Sequence, residues 1–534
     1  MLKEIFKPDS KKLNLWAGIT IFAAVLLFLW LFEGWLFEVL HITILWEILK
    51  IIGLPLQIIS MFGSLDILII PLFFLTLLYI YILSCLLLYL VNKIKIIKWD
   101  AKKYAILFII VILLFVVYGF SSLGWSDIFV PTADDSGATT EGVNEIVEAN
   151  NKFAINLYSE ICNETSKNIF FSPWSISSAV VMAYEGSGGQ TANEIASVFD
   201  FPAEDNLRRS SYARMLNTLN KAGGKYQLNT ANAIWLQKDY HFLKDYKDTI
   251  SRYYLGEVNN LDFVNNPGDA SSEINNWVSK NTNSKIREIV SPSMFNKESR
   301  AVLTNDIYFK GKWVNKFDRD DTKQENFTLT SGEKTKVPMM RLEDDDLDFN
   351  YAESDGIQIL EMPYRGNNVS MLVLLPRTEL TDMAKRKYEM KGKEPQTSNI
   401  TELEAMLSAE KLDDWRSQLK PETVYIYMPK FTFETSYNLS DYLKKMGMEL
   451  PFTRGADFSG MDGTQQLYID NVLHKAYIDV YEEGTEAAAA TSMGMGPIGM
   501  PEYTEFRADH PFIFLIQEKS TGNILFMGRV NNPS

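Results

Sequence analysis

The distribution of apolar positions divides the chain into two unlike parts. Leu15–Phe32 runs eighteen residues without a charge, Ile67–Val91 twenty-five and Tyr104–Phe120 seventeen. Each reaches or nears the length of about twenty residues that an α-helix needs to cross a bilayer. The pattern therefore predicts three spanning helices. Val39–Phe62 is also apolar, but Glu47, Lys50 and Pro55 interrupt it, which predicts an interfacial or re-entrant segment near 39–62. Beyond Trp125 the long runs stop. Shorter stretches rich in β-branched and aromatic residues follow, among them Leu467–Tyr481, Phe512–Leu515 and Ile524–Met527, and these predict strands.

Lysines orient the membrane part. Lys3, Lys7, Lys11 and Lys12 precede the first run, and Lys93, Lys95, Lys98, Lys102 and Lys103 lie between the last two. Basic flanks stay in the cytoplasm. Three spans satisfy both clusters, place residues 1–13 in the cytoplasm and put everything after Phe120 on the other side. The membrane region is thus expected over 14–121. Residues 122–149, with Asp, Ser, Gly, Ala, Thr and Glu predominating from Trp125 to Glu148, read as an acidic linker, and 150–534 as the folded domain.

Within that domain one stretch is the most informative. Glu482-Glu483-Gly484-Thr485-Glu486-Ala487-Ala488-Ala489-Ala490-Thr491 can be read as a capped helix start, since Ala favours helix and Thr485 could cap it. Its setting favours a loop entry instead. A strand-like segment precedes it, and Met493–Pro501 after it has too much Gly and Pro for a helix.

Several segments now fall in a recognisable order. Asn168–Ile176, Thr230–Trp235, Ile274–Val278, Leu303–Trp313, Leu360–Tyr364, Ser370–Pro376, Met428–Phe431, Asp457–Gly460 and His510–Phe512, together with the small-residue run, resemble the serpins. The resemblance covers roughly 150–532. It implies an α+β serpin fold: a large central mixed sheet, further sheets and surrounding helices, here preceded by transmembrane α-helices. It also implies a reactive loop over about 482–506, and a suicide-substrate mechanism. A target serine protease, with a cysteine protease as the second class, cleaves the loop as bait. The loop then inserts into the central sheet as a new strand and traps the acyl-enzyme.

The run suits that demand. Alternate strand residues face opposite sides, so Thr485, Ala487, Ala489 and Thr491 would enter the interior, while Glu486 and its alternates face water. All four inward residues are small, which a dense interior tolerates. About fifteen inserted residues would carry a bound protease about 50 Å. Family spacing from Glu482 implies a scissile bond at Ile498–Gly499, with Met495 and Met500 as alternatives. Such residues suit an elastase-, chymotrypsin- or subtilisin-like pocket. No Lys or Arg stands between Glu482 and Arg507, so a trypsin-like target is disfavoured.

The resemblance further implies that Ser172, Ser175, Asn305 and His474 form the shutter where the sheet opens. Trp313, Lys430 and Glu482 would form the breach where insertion begins, with Lys430–Glu482 expected as a weak surface ion pair. A Ser–His pair also invites a nucleophile reading, but no Gly-x-Ser-x-Gly elbow occurs; the chain is expected not to be an enzyme. Departures are Asp306, where the family usually has Ala, and Arg377–Thr401, a Lys- and Glu-rich segment expected to be a solvated insertion. A serpin fold used only for binding or scaffolding remains the alternative.

Charge and rare residues narrow the field. The net charge is −15; residues 1–125 carry ten Lys against seven acidic residues, so the remainder stands at −18. That excess disfavours nucleic acid as a partner. The two cysteines, Cys85 and Cys162, fall in different parts, leaving no disulfide within the domain. Four scattered His and no paired Cys give no metal signal, and no cofactor is expected. The expected partners are therefore a target protease and the lipid bilayer. Asn163, Asn326, Asn368, Asn399 and Asn438 begin Asn-x-Ser/Thr triplets, acceptors only where a glycosylating host reads them.

Overall fold

Thr139 starts the first helix by accepting a hydrogen bond from the Gly142 amide at 3.0 Å, with Glu141 in the first turn; both features favour a helix N-terminus. Helix α1 (Thr140–Glu164) buries Ile146, Phe153, Leu157 and Ile161, residues that share its inward stripe. It begins inside the stretch read as linker. Upstream, the Ala133 amide and carbonyl both pair with the Asn217 side chain at 2.9 Å, and Asp134 bridges Arg252. The acidic composition that suggested a linker belongs to the outer face of a docked segment.

The computed structural model describes residues 132–220, 225–379, 396–485 and 504–534. The expected spans at 15–32, 67–91 and 104–120, the segment near 39–62 and residues 1–13 lie outside these. Among the described residues no helix is long and apolar enough to cross a membrane.

After β1 (Ile169–Phe171), helix α2 (Pro173–Tyr184) is capped by Ser172 and has Pro173 in its first turn. Residues from Pro173 to Ala183 are all buried, as expected of a helix covered on every side. Helices α3 (Gly189–Phe199) and α4 (Asp205–Asn220) follow, then β2 (Tyr226–Gln237), α5 (Lys244–Thr249), β3 (Glu257–Leu261), α6 (Pro267–Asn281) and β4 (Ala301–Lys312). Strands β5 (Lys323–Thr328), β6 (Lys334–Leu342), β7 (Asp348–Ser354), β8 (Ile357–Pro363) and β9 (Val369–Pro376) come next. Two short helices, α7 (Ile400–Met406) and α8 (Ala409–Ser417), separate them from β10 (Lys420–Pro429) and β11 (Phe431–Asn438). The last elements are α9 (Ser440–Lys445), α10 (Ser459–Asp462), β12 (Ile469–Tyr481), β13 (Gly484–Thr485), β14 (Thr504–Arg507), β15 (Phe512–Glu518) and β16 (Ile524–Val530).

Among the described residues these strands make two sheets. One has ten strands and includes the β1-β16-β15-β9-β8-β7 run; the other has six, in the order β11-β12-β13-β4-β2-β3. The six-stranded sheet matters most. Its odd and even residues face two different cores. Leu303, Ile307, Ala476, Ile478 and Val480 join the main core with Trp174, Ile176 and Val180 of α2. Trp235, Val302 and Leu473 join a smaller one with Ile274 and Val278 of α6. Helices therefore cover both faces of this sheet at the level of Val302 and Leu473, so an inserted strand's outer alternates, expected to face water, would there meet α6 instead.

The Lys- and Glu-rich segment is tied at its base. The Arg377 amide donates to Gly356 O at 2.8 Å and the Ser398 amide to Arg377 O at 3.0 Å. Residues 380–395 lie outside the description, and Asn399 with Glu402 forms a capping box for α7.

Candidate functional site: the seam between β4 and β12

Strands β4 and β12 run parallel, paired from Ile469–Ala301 to Tyr477–Tyr308. Above Tyr308 they part, and β13 sits between them, antiparallel to both. Thr485 pairs with Val480 on one side and Gly311 on the other; Gly484 pairs with Tyr481 and Lys312. The hinge expected from the small-residue run has thus already entered the top of the sheet as far as Thr485. Glu486–Thr491, and the scissile candidates Ile498, Gly499, Met495 and Met500, lie outside the described residues.

Gly484 makes this entry possible. Its φ of +142° lies outside the range that residues with a Cβ readily adopt, and an added Cβ would stand 2.1 Å from Gly311 O and 2.6 Å from Lys312 Cα. Around it the breach closes. The Trp313 amide donates to Glu483 O at 2.9 Å and its indole N–H to Tyr481 O at 3.1 Å, while the ring stacks on Tyr364 at 4.4 Å. Glu482 receives Lys430 Nζ at 3.0 and 2.9 Å and the Thr322 hydroxyl at 2.9 Å.

The Lys430–Glu482 pair is not the surface contact the sequence suggested. The Glu482 side chain is only 4% exposed against 37% for Lys430. Burial works to raise its carboxyl, but the Lys430 bond and charge, with the backbone and Thr322 bonds, hold it below the usual range. Glu483 is equally buried, facing Arg319 at 3.3 Å and Lys316 at 4.0 Å.

Lower on the seam, His474 of β12 registers with Asn305 of β4. The Ser172 amide donates to His474 Nε2 at 3.0 Å, which makes Nε2 the acceptor and leaves the proton on Nδ1, 2.7 Å from Asn305 Oδ1. The Asn305 amide then donates to Ser175 Oγ and Asn232 Oδ1, each at 2.5 Å, and Ser172 Oγ donates to Leu525 O at 2.6 Å. All four residues expected at the shutter meet here. Asn232, inside the Thr230–Trp235 motif, completes the network although the sequence reading did not single it out. His474 faces a backbone N–H rather than a serine hydroxyl, so the nucleophile–base arrangement is not formed. The Asp306 side chain lies outside the description, and among the described residues no three His, Cys, Asp or Glu are grouped to hold a metal ion.

The network carries a pH signature. Burial pushes His474 down to about 4 from an ordinary 6.5. An imidazole held neutral in the fold gains a proton first in the unfolded chain. Its stability contribution is therefore complete above pH 6.5 and is lost as pH falls toward 4. The expected loss from this group is about 2 kcal/mol by pH 5. Urea midpoints at pH 7.5 and 5 check it: His474→Gln should abolish that share of the pH dependence, and an unchanged dependence would refute it.

The comparisons agree with this geometry. The family described as Serpin (serine protease inhibitor) matches residues 148–533. A serpin-like protein of Methanosarcina mazei is 38% identical over 398 residues, covering 73% of this chain and 88% of its own. The leukocyte elastase inhibitor of Xenopus laevis is 37% identical over 384 residues, covering 71% and 97%. The solved structure of Serpin48 from Tenebrio molitor superimposes with a TM-score of 0.62 at 30% identity over 73% of this chain and 98% of its own. With a parallel seam entered by its own hinge and a family match over residues 148–533, the chain belongs to the serpin family.

Proposed function

We propose that the chain is a membrane-tethered suicide-substrate inhibitor of serine proteases with elastase-, chymotrypsin- or subtilisin-like specificity, not an enzyme itself. The observation that carries this reading is the wedge of Gly484–Thr485 between two strands that are parallel to each other below it. Each further inserted residue would replace one parallel contact by two antiparallel ones, which are slightly more stable per residue. Seven steps beyond Gly484, the same register reaches the rung of Asn305 and His474, so insertion must part the network described above. Cleavage at Ile498–Gly499 would free more chain than those steps need. The name of the Xenopus relative, an elastase inhibitor, supports the choice of target. Tethering is supported by the three uncharged runs and the lysine clusters, which would hold the serpin domain on the extracytoplasmic side.

The test is incubation of the full-length chain with elastase, chymotrypsin and subtilisin. Trapping yields a complex that survives boiling in SDS, and a cleaved form that melts well above the intact one. Clean cleavage without complex, and without gain in heat resistance, would leave the fold as a binding or scaffold module. Digestion by protease added to intact cells checks the orientation; a protected domain would overturn it.

A further inference from the structure

The foot of the seam holds a contact that the shutter and breach do not account for. Asp470, the second residue of β12, seats its carboxylate on two successive amides at the start of β4: Arg300 N at 2.5 Å and Ala301 N at 2.9 Å. The ladder is irregular at this point alone along the β4–β12 pair. Ile469 pairs with Ala301 and Asn471 with Val302, so Asp470 is the extra residue of a bulge. From Asn471 to Tyr477 the pairing keeps one offset, and that offset would put Asp470 opposite Ala301. The side chain has taken the place of the backbone partner.

The top of the seam gives the same answer. Eleven steps down from the rung of Gly484, Lys312 and Tyr481 bring the register to Ala301 on one strand and Asp470 on the other. A strand inserted to that depth holds its neighbours roughly 9–10 Å apart, twice the usual spacing of about 4.8 Å. A side chain as short as Asp cannot bridge that gap. The inserted strand brings backbone acceptors of its own to the Ala301 amide.

We propose that Asp470 is a latch at the foot of the seam, closed in the intact inhibitor and released only when loop insertion runs to completion. It is a positioning residue. It satisfies two strand-end amides in the intact fold alone and thereby slows the last part of insertion, including insertion without cleavage. This rests on the insertion reading given above. The contact lies below His474 and Asn305, so the two networks part in sequence: the shutter midway and the latch last. Burial pushes the Asp470 carboxyl up to about 6 against the pull of the two amides. An uncharged acceptor of the same shape therefore suits the position, which makes Asn the informative replacement.

The experiment compares heat resistance of the full-length chain in detergent, intact and after cleavage by elastase, for wild type, Asp470→Ala and Asp470→Asn. Asp470→Ala removes the acceptor of two amides in the intact form and breaks no contact in the cleaved one. It should lower the intact melting temperature by about 2–4 °C and leave the cleaved form unchanged. Uncleaved Asp470→Ala should also convert to the heat-resistant form about tenfold faster, and Asp470→Asn should restore wild-type behaviour in both assays. Equal loss in the intact and cleaved forms, or no change in either, would overturn the latch. If Asp470→Ala does not fold, Asp470→Ser, which keeps an oxygen but shortens its reach, carries the same comparison. A wild type that gains no heat resistance on cleavage would remove the insertion reading itself, a result seen before any variant is made.

Discussion

Replacing Gly484 by Ala is expected to turn an inhibitor into a substrate. The added methyl would stand 2.1 Å from Gly311 O, 2.6 Å from Lys312 Cα and 2.9 Å from Trp313 N. All three are backbone atoms of β4 and its exit, so no side chain can swing aside. The φ of +142° adds a conformational penalty for any residue with a Cβ. The chain must therefore leave the rung it shares with Lys312 and Tyr481, and insertion loses its starting wedge. Trapping is a race between insertion and hydrolysis of the acyl-enzyme. Each 1.36 kcal/mol added to the insertion barrier shifts that race tenfold. Loss of the rung with its clash is worth about 1–3 kcal/mol, so the ratio of inhibitor hydrolysed to inhibitor that traps should rise by about tenfold or more, and the inhibitor consumed per protease inactivated with it. Titration of protease activity with increasing inhibitor measures it, and a wild-type ratio would mean that the early entry at Gly484 plays no part.

That prediction was only half legible in the chain. The small-residue run, the preceding strand and the two closing strands showed where a loop leaves and re-enters a sheet. Strands β12, β15 and β16 lie where their composition placed them. The depth to which the hinge already enters was not legible, because it depends on Gly311 and Lys312, far away in sequence. Shutter residues could be named because each sits in a short ordered motif. Asn232 sits in such a motif too, but its role exists only once β2 and β4 bring it to Asn305.

Charges were the hardest to read. A run of acidic residues before 150 has linker composition, yet Gly142, Ile146 and Ala149 within it are buried at helical spacing. Glu482 and Glu483 look like two solvated carboxylates in sequence, and both are buried, Glu482 against Lys430 and Glu483 against Lys316 and Arg319. Asp470 is an ordinary strand-edge acid until the bulge gives it two amides. In each case burial decides the chemistry, and burial comes from contacts that one sequence cannot show.

Glu482→Lys should have the second large effect, through the breach rather than the hinge backbone. The substitution faces Lys430, now about 3 Å from both oxygens of the carboxylate it would lose, with an ammonium instead. Thr322, which donates to the same carboxylate at 2.9 Å, loses its acceptor as well. Breaking a buried pair costs about 3–5 kcal/mol, and the partial exposure of Lys430 points to the lower end. The strain falls on the residue whose carbonyl receives the Phe317 amide and whose neighbour, Glu483, receives the Trp313 amide. Those bonds fix the entry of β13, so the top of the seam should open. Freed edges of β4 and β12 can then accept a strand from a second copy. The expected outcome is an intact form less stable by about 3 kcal/mol that assembles into oligomers on mild warming, read on native gels. Combining it with Lys430→Glu reverses the pair instead of breaking it, and should recover much of the stability and the monomer. If the single variant stays monomeric and as stable as wild type, the ion pair does not hold the breach. If the swap recovers nothing, packing around Thr322, and not charge, is what the substitution disturbs.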